Sequence, residues 1–200
     1  MNVIASKTSR FQSSDLLWIL ALISAGLSGN YFKFPLFLNI DLLFGSIFAL
    51  LVLLFYGYWR GVLAGALIAS YTFIIWNHPY AIIIMTAEIA VVGYLVTRRK
   101  MGLVLADGLY WLFAGLPLVF FFYRLVMDAS PANVEIIMVK QAINGISNAV
   151  IAGLIYNFIA YHKHSHRIEL REVITNQLIA FLLLSSLAAM AFNSRQDFAD

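Results

Sequence analysis

Four charged side chains interrupt the long apolar runs of this sequence: Asp41, Glu88, Asp107 and Lys140. A charged group at the centre of a lipid bilayer costs about 2.5–3.5 kcal/mol or more unless it is paired or hydrated. Such side chains are therefore expected to face the interior of a helix bundle. Within a bundle, carboxylates and amines fix helix register, bind ligands and ions, or relay protons, so these residues are candidates for a binding site.

Lys140 has polar neighbours on its own helix. Asn144, Ser147 and Asn148 follow it at i+4, i+7 and i+8, which places all four on one helix face. Glu88 has only apolar neighbours at three- and four-residue spacing. A lone carboxylate and a lone amine predict an ion pair, either Lys140–Glu88 or Lys140–Asp41. The pair has three interpretations that the residues leave open: it fixes helix register, lines a ligand pocket that opens outward, or relays protons.

The depth of each charge follows from the helical rise of 1.5 Å per residue. Measured from the outward-facing surface of the membrane, Asp41 is expected at a depth of about 7 Å, Lys140 at about 9 Å and Glu88 at about 12 Å. These three share one slab in the outer half of the membrane. The span that carries Asp107 starts at the cytoplasmic surface. This second intramembrane carboxylate is therefore expected in the cytoplasmic half of the membrane, with a separate purpose.

The turn from Trp76 to Tyr80 lies above that slab. Trp76 and Tyr80 are expected to anchor the membrane interface. His78 is interpreted as a pocket lid, a pH-sensitive group or an axial haem ligand. Haem ligation lacks a second well-placed intramembrane histidine, and the histidines of the link 162–171 lack a carboxylate to complete a metal site. We therefore expect neither a cofactor nor a metal.

The composition places the chain in the membrane. Of 200 residues, 62% are hydrophobic and 12% are charged, and the mean hydropathy is +0.85. The length suits one compact bundle without a separate catalytic domain. No cysteine is present, and the sequence contains no nucleophile elbow, phosphate loop or zincin helix. No enzymatic activity is expected within these residues.

The apolar segments predict an all-α, polytopic transmembrane bundle of about seven spans. The predicted spans are 16–32, 36–59, 61–76, 80–97, 103–125, 134–160 and 173–192. The chain then divides into a cytoplasmic segment 1–14, a six-helix core 15–161, a cytoplasmic link 162–171, a seventh helix 172–192, and a tail or linker 193–200 outside the cytoplasm.

Positive charges set the expected orientation. With the N-terminus in the cytoplasm, nine basic residues are cytoplasmic and three are outside. The nine are Lys7, Arg10, Arg60, Arg98, Arg99, Lys100, Lys163, Arg167 and Arg171. This bias accounts for the pI of about 9.2 without nucleic acid as a partner. The C-terminus is then extracytoplasmic, and the lipid bilayer is the expected surrounding of a multi-pass protein.

Two stripes of small residues recur at four-residue spacing and are expected to let helices pack closely. They are Gly61, Gly65 and Ala69, and Ala21, Ala25 and Gly29.

Two stretches carry a family resemblance: NIDLLFGSIFALLVLLFYGYWRGVLAGALIASYTFIIWNHPYAIIIMTAEIAVVGYLVTRRK (39–100) and KQAINGISNAVIAGL (140–154). They resemble the N-terminal multi-helix membrane sensor regions of bacterial histidine kinases and diguanylate cyclases. Residues 16–161 are also similar to the S-components of energy-coupling factor vitamin transporters, which have six helices and an outer ligand site. The stripe on the first helix resembles the one with which S-components dock their transporter partner. A seventh helix departs from the S-component pattern.

The resemblance implies a location in the bacterial inner membrane and a homodimer formed through a parent receptor. We expect a sensory module that detects a small ligand or the membrane state through the polar pocket. That pocket comprises Lys140, Asn144, Asn148, Glu88, Asp41 and Ser147, with His78 and Tyr80 above. Two alternatives remain: a solute-uptake subunit that binds a vitamin-like molecule, and a structural membrane anchor.

Overall fold

The computed structural model describes residues 12–32, 34–35, 41–164 and the single positions 178, 182 and 185. The helices are α1 (Ser13–Tyr31), α2 (Gly45–Tyr56), α3 (Tyr58–Ala69), α4 (Tyr71–Trp76), α5 (Tyr80–Arg99), α6 (Leu103–Tyr110), α7 (Leu116–Val119) and α8 (Pro131–His164). Two π-helical segments, Trp111–Gly115 and Phe120–Val126, flank α7. The predicted helical fold is confirmed, with the addition of one short antiparallel pair, β1 (Phe34–Pro35) and β2 (Asp41–Leu42).

Four helices in the described part of the chain are long and apolar enough to cross a membrane. They are Tyr58–Trp76, Tyr80–Arg99, Leu103–Val126 and Pro131–Ala160. The first joins α3 to α4, and the third runs from α6 through both π-helical segments. All four coincide with predicted spans, which is consistent with a membrane protein.

The predicted count of seven spans is not supported. Helix α1 coincides with the first predicted span, but its serines and Asn30 make it less apolar than the four. The second predicted span, 36–59, contains only the 12-residue helix α2. The seventh predicted span lies outside the described residues apart from positions 178, 182 and 185. The segment 1–11 and the tail 193–200 lie outside them as well.

Helix α2 is the centre of the bundle. It packs against α1, α3, α5 and α8. Four successive residues, Leu50 to Leu53, are each at most 3% exposed, so every face of this helix is buried. A helix that is apolar on all sides is typical of such a position. Gly57 then ends it at a φ of 94°, and the chain reverses into α3.

The second predicted span is wrong in its first part, because the chain is extended at Asp41–Leu42 and helical only from Gly45. Non-helical backbone inside an apolar bundle needs polar partners from the protein. Asn30 supplies one of them: its Oδ1 accepts from the N–H of Gly45, and its Nδ2 donates to the carbonyl of Ile68. An apolar run does not by itself distinguish a helix from a buried extended segment.

The fifth predicted span is one continuous helical rod that changes its winding around Pro117. The π-helical segment Trp111–Gly115 directly precedes the turn that contains the proline. Proline has no N–H to donate, and its ring crowds the carbonyl four residues earlier. Wider winding relieves that crowding, and it turns Trp111 into the bundle, where 3% of its surface is exposed.

Candidate functional site

A small cavity lies between α4, α5, α8 and the first π-helical segment. Its volume is about 20 Å³, which is room for about one water molecule. The lining combines two charged residues with two indoles, two amides and small or apolar groups. The lining residues are Leu43, Trp76, Met85, Glu88, Trp111, Lys140, Gln141, Asn144 and Gly145. The structure therefore brings together Glu88, Lys140 and Asn144 of the predicted pocket.

Glu88 is 1% exposed and projects from the middle of α5. Its Oε1 accepts a hydrogen bond of 3.3 Å from Nε1 of Trp111. The hydrogen-bond donor to this carboxylate is an indole, which the sequence did not predict, and the predicted ion pair of Lys140 with Glu88 or Asp41 stays a prediction. A buried tryptophan N–H needs an acceptor, so Trp111 at the centre of an apolar span was the signal that the sequence analysis missed.

Asp107 lies beside Glu88, and the carboxyl groups of the two residues interact electrostatically. The expectation of a separate site in the cytoplasmic half is therefore wrong. That estimate treated α5 and α6 as upright rods and ignored the reach of the two side chains. Asp107 has no exposed surface, and neither of its oxygens has a well-aligned hydrogen-bond partner among the described residues.

Lys140 reaches the cavity from α8. Its Nζ lies 5.7 Å from the centroid of the Trp76 ring, within the range of a cation–π interaction. Trp76 thus forms a wall of the pocket, in addition to its expected position near the membrane interface. The side chain of Asp41, the other predicted partner of Lys140, lies outside what the structure describes.

Asn144 and Asn148 hold the extended segment in front of α2. Asn144 Oδ1 accepts from the N–H of Leu43 at 2.9 Å. Asn148 Nδ2 donates to the carbonyl of Leu43 and to Ser46 Oγ, each at 2.7 Å. We call this group the asparagine clamp. Asn148 is therefore committed to the backbone and does not line the cavity, and Ser147 is half-buried on the neighbouring position of α8.

Aromatic rings form a stack at the end of the cavity nearest the turn between α4 and α5. His78 is stacked between Trp76 and Tyr80, at centroid distances of 6.2 Å and 5.2 Å, and Tyr80 stacks on Phe122 at 4.8 Å. We call these four residues the aromatic stack. Burial lowers the pKa of His78, whose Nδ1 has no hydrogen-bond partner in the described structure. His78 thus lies beside Trp76, which lines the cavity, and the predicted position of His78 and Tyr80 above the pocket stays a prediction.

Small residues allow the close helix contacts around the site. A Cβ at Gly65 would lie 2.8 Å from Ile89 of α5, and one at Gly61 would lie 2.6 Å from the backbone of Leu53. On α1, a Cβ at Gly29 would lie 3.3 Å from Phe44, whereas Ala21 is exposed. Ala69 is buried and Ala25 is partly buried.

The described residues form a helical bundle with four helices apolar enough to cross a membrane and a charged pocket between the helices. No protein-family model matches the sequence, and no curated protein is significantly similar to it.

Proposed function

We propose that this protein is a membrane-embedded sensory module that binds a small polar ligand in the pocket between Glu88 and Lys140. One observation supports the proposal most strongly: a carboxylate and an amine line the same cavity, although each is costly to place in a membrane. Two indoles, Trp76 and Trp111, border the same space and offer apolar and cation–π contacts.

The two charges favour a ligand that carries both an ammonium and a carboxylate. Glu88 and Lys140 sum to zero charge, and a zwitterion preserves that balance in a poorly solvating interior. The ammonium of the ligand would lie near Glu88 and the two indoles, while its carboxylate would draw Lys140 away from Trp76. Small amino-acid-like molecules have this chemistry.

Ligand entry requires the pocket to widen, because about 20 Å³ accommodates only water. Helix α4 is suited to that movement, since it has only six residues and is separated from α3 by a one-residue interruption at Ser70. The hydroxyls of Ser70 and Thr72 donate to the carbonyls of Leu67 and Ala69, a pattern that bends helices. A ligand that binds more tightly when α4 has moved and the pocket is open increases the population of that open state. This population shift is the proposed signal.

The proposed orientation keeps the N-terminus in the cytoplasm and opens the pocket outward. Gly93 near the end of α5 approaches Tyr58 at the start of α3, with 2.9 Å between a Cβ at Gly93 and the tyrosine ring. Arg60 and Arg98 therefore belong to the same end of the bundle, opposite the aromatic stack. Clustered basic residues favour the cytoplasmic side, and we propose the bacterial inner membrane as the location.

Tryptophan fluorescence tests ligand binding directly. The chain has four tryptophans, of which Trp18 and Trp59 are 64% and 74% exposed, far from the cavity lining. A W18F/W59F variant in nanodiscs reports only on Trp76 and Trp111. We expect saturable fluorescence changes with some members of a panel of small amino acids, amines and carboxylates. Lys140→Met and Glu88→Gln should each abolish the change.

The matched control is Arg99→Met, which removes an exposed charge at the far end of α5. It should leave ligand binding intact. A panel without any saturable response, or one whose response survives both pocket substitutions, contradicts the proposal. Identifying the proteins that co-purify with the chain from native membranes under mild conditions distinguishes sensing from solute uptake. A co-purifying ATPase indicates uptake, and ligand-dependent signalling by the parent receptor indicates sensing.

A further inference from the structure

The ligand pocket leaves Asp107 without a role. This carboxyl is completely buried on α6, and neither of its oxygens has a hydrogen-bond donor among the described residues. An ionised carboxylate in such a place lacks both water and a compensating donor, which is the most costly environment for a charge. The neutral acid carries no such penalty.

Glu88 provides the route between Asp107 and the cavity. Its carboxyl group lines the cavity, whereas Asp107 is not among the lining residues. Asp107 lies one helical turn before Trp111, whose backbone N–H donates to the Asp107 carbonyl. Trp111 Nε1 in turn holds one oxygen of Glu88 by a hydrogen bond of 3.3 Å, so the two carboxyls lie close enough to interact electrostatically. Glu88 therefore lies between the cavity and Asp107. We propose that Glu88 and Asp107 form a proton-binding pair that is loaded from the cavity.

Sharing one proton leaves the pair with a single negative charge instead of two. Two carboxylates in contact in a poorly solvating interior repel each other strongly, and the proton removes that repulsion. The transfer needs no redox partner. Hydronium in the cavity gives its proton to a Glu88 oxygen and becomes water. The new O–H bond of Glu88 then breaks as an O–H bond forms on Asp107.

Other titratable groups around the pair influence the pH at which it loses the proton. Tyr110, on α6, interacts with both carboxyls, but its hydroxyl donates to the carbonyl of Ile84 at 2.6 Å. Lys140 reaches the same cavity from α8, and its positive charge favours release of the proton. The residues that line the cavity from α2 and α4 are otherwise uncharged: Leu43, just before α2, and Trp76 of α4. This site goes beyond the proposed ligand binding and requires no ligand.

Infrared spectroscopy of the nanodisc-embedded protein tests the pair. The wild type should show the carbonyl band of a protonated carboxyl at neutral pH, and the band should shift when carboxyl-¹³C aspartate is incorporated. Asp107→Asn should remove the band. Glu88→Gln should retain it but slow its hydrogen–deuterium exchange, because the connection to the cavity is lost. Glu135→Gln, which neutralises an exposed carboxylate on α8, should change nothing.

Two results would overturn the proposal. The first is a wild-type spectrum without an aspartate-sensitive carboxyl band, a result that does not depend on whether Asp107→Asn folds. The second is a band that titrates differently when sodium is replaced by a large organic cation, because this identifies a sodium site. Tryptophan fluorescence with the ligand panel is a separate readout, so failure of the proton site and failure of the ligand site can be told apart.

Discussion

Gly145 on α8 packs directly against the indole of Trp111. A Cβ at this position would collide with the indole nitrogen and lie 2.8 Å from Glu88 Oε1. The close approach of the α8 backbone therefore limits where Trp111 can lie, and Trp111 in turn binds Glu88. The hydrogen bond that Glu88 receives therefore depends on how closely α8 packs against the π-helical segment that carries Trp111.

Replacing Gly145 by alanine should displace Trp111 and break its hydrogen bond with Glu88. We expect a loss of about 1–3 kcal/mol in the free energy of unfolding, the usual cost of overpacking a core. Equilibrium unfolding in detergent measures it. The control is Gly108→Ala, because a Cβ at Gly108 meets nothing within 4 Å. Equal destabilisation by both substitutions would show that the contact with Trp111 is not the cause.

The asparagine clamp should be sensitive to truncation. Asn148→Ala leaves the carbonyl of Leu43 and the hydroxyl of Ser46 without the donor that Nδ2 provides. A buried polar group that loses its partner costs about 1–3 kcal/mol, so a clear drop in unfolding free energy is expected. Ser147→Ala, at the half-buried neighbouring position, should have little effect. Stability that is unchanged by Asn148→Ala would rule out the clamp.

Acidification should destabilise the aromatic stack through His78. Burial lowers the pKa of His78 in the folded protein, so the unfolded chain binds its proton more readily. At a pH above the pKa of unfolded histidine, His78 does not reduce the free energy of unfolding. As the pH falls from that pKa towards the lower pKa of the folded protein, the free energy of unfolding decreases. Thermal unfolding from about pH 8 to about pH 5 measures this, because unfolded histidine titrates near 6.5. His78→Phe keeps an aromatic ring and should make the loss of stability at low pH smaller. If the variant has the same pH profile as the wild type, another group causes the loss.

Cysteine labelling tests the orientation, and the chain has no cysteine to remove first. Ser130→Cys and Arg99→Cys place single thiols at exposed positions on opposite ends of the spanning helix Leu103–Val126. A membrane-impermeant thiol reagent applied to intact cells should label the cysteine at 130 and spare the one at 99. The reverse pattern would invert the proposed topology.

The sequence predicted the spanning helices well because a long apolar run has few other solutions in a membrane. It located four of them and placed Glu88 and Lys140 in one site. It failed where tertiary contacts decide the backbone. No residue within 41–44 indicates that asparagines from α1 and α8 hold the extended backbone before α2. The nearness of Asp107 to Glu88 likewise depends on how α5 and α6 cross. A depth estimated from the helical rise per residue carries no information about that crossing.

The central claim is that Glu88 and Lys140 form one ligand site, and native mass spectrometry tests it most directly. Protein released from nanodiscs after incubation with a responding compound should carry the mass of one such molecule. That mass should disappear from both Lys140→Met and Glu88→Gln and persist in Arg99→Met. If both pocket variants retain the bound molecule as well as the wild type does, the ligand binds elsewhere and the account is contradicted.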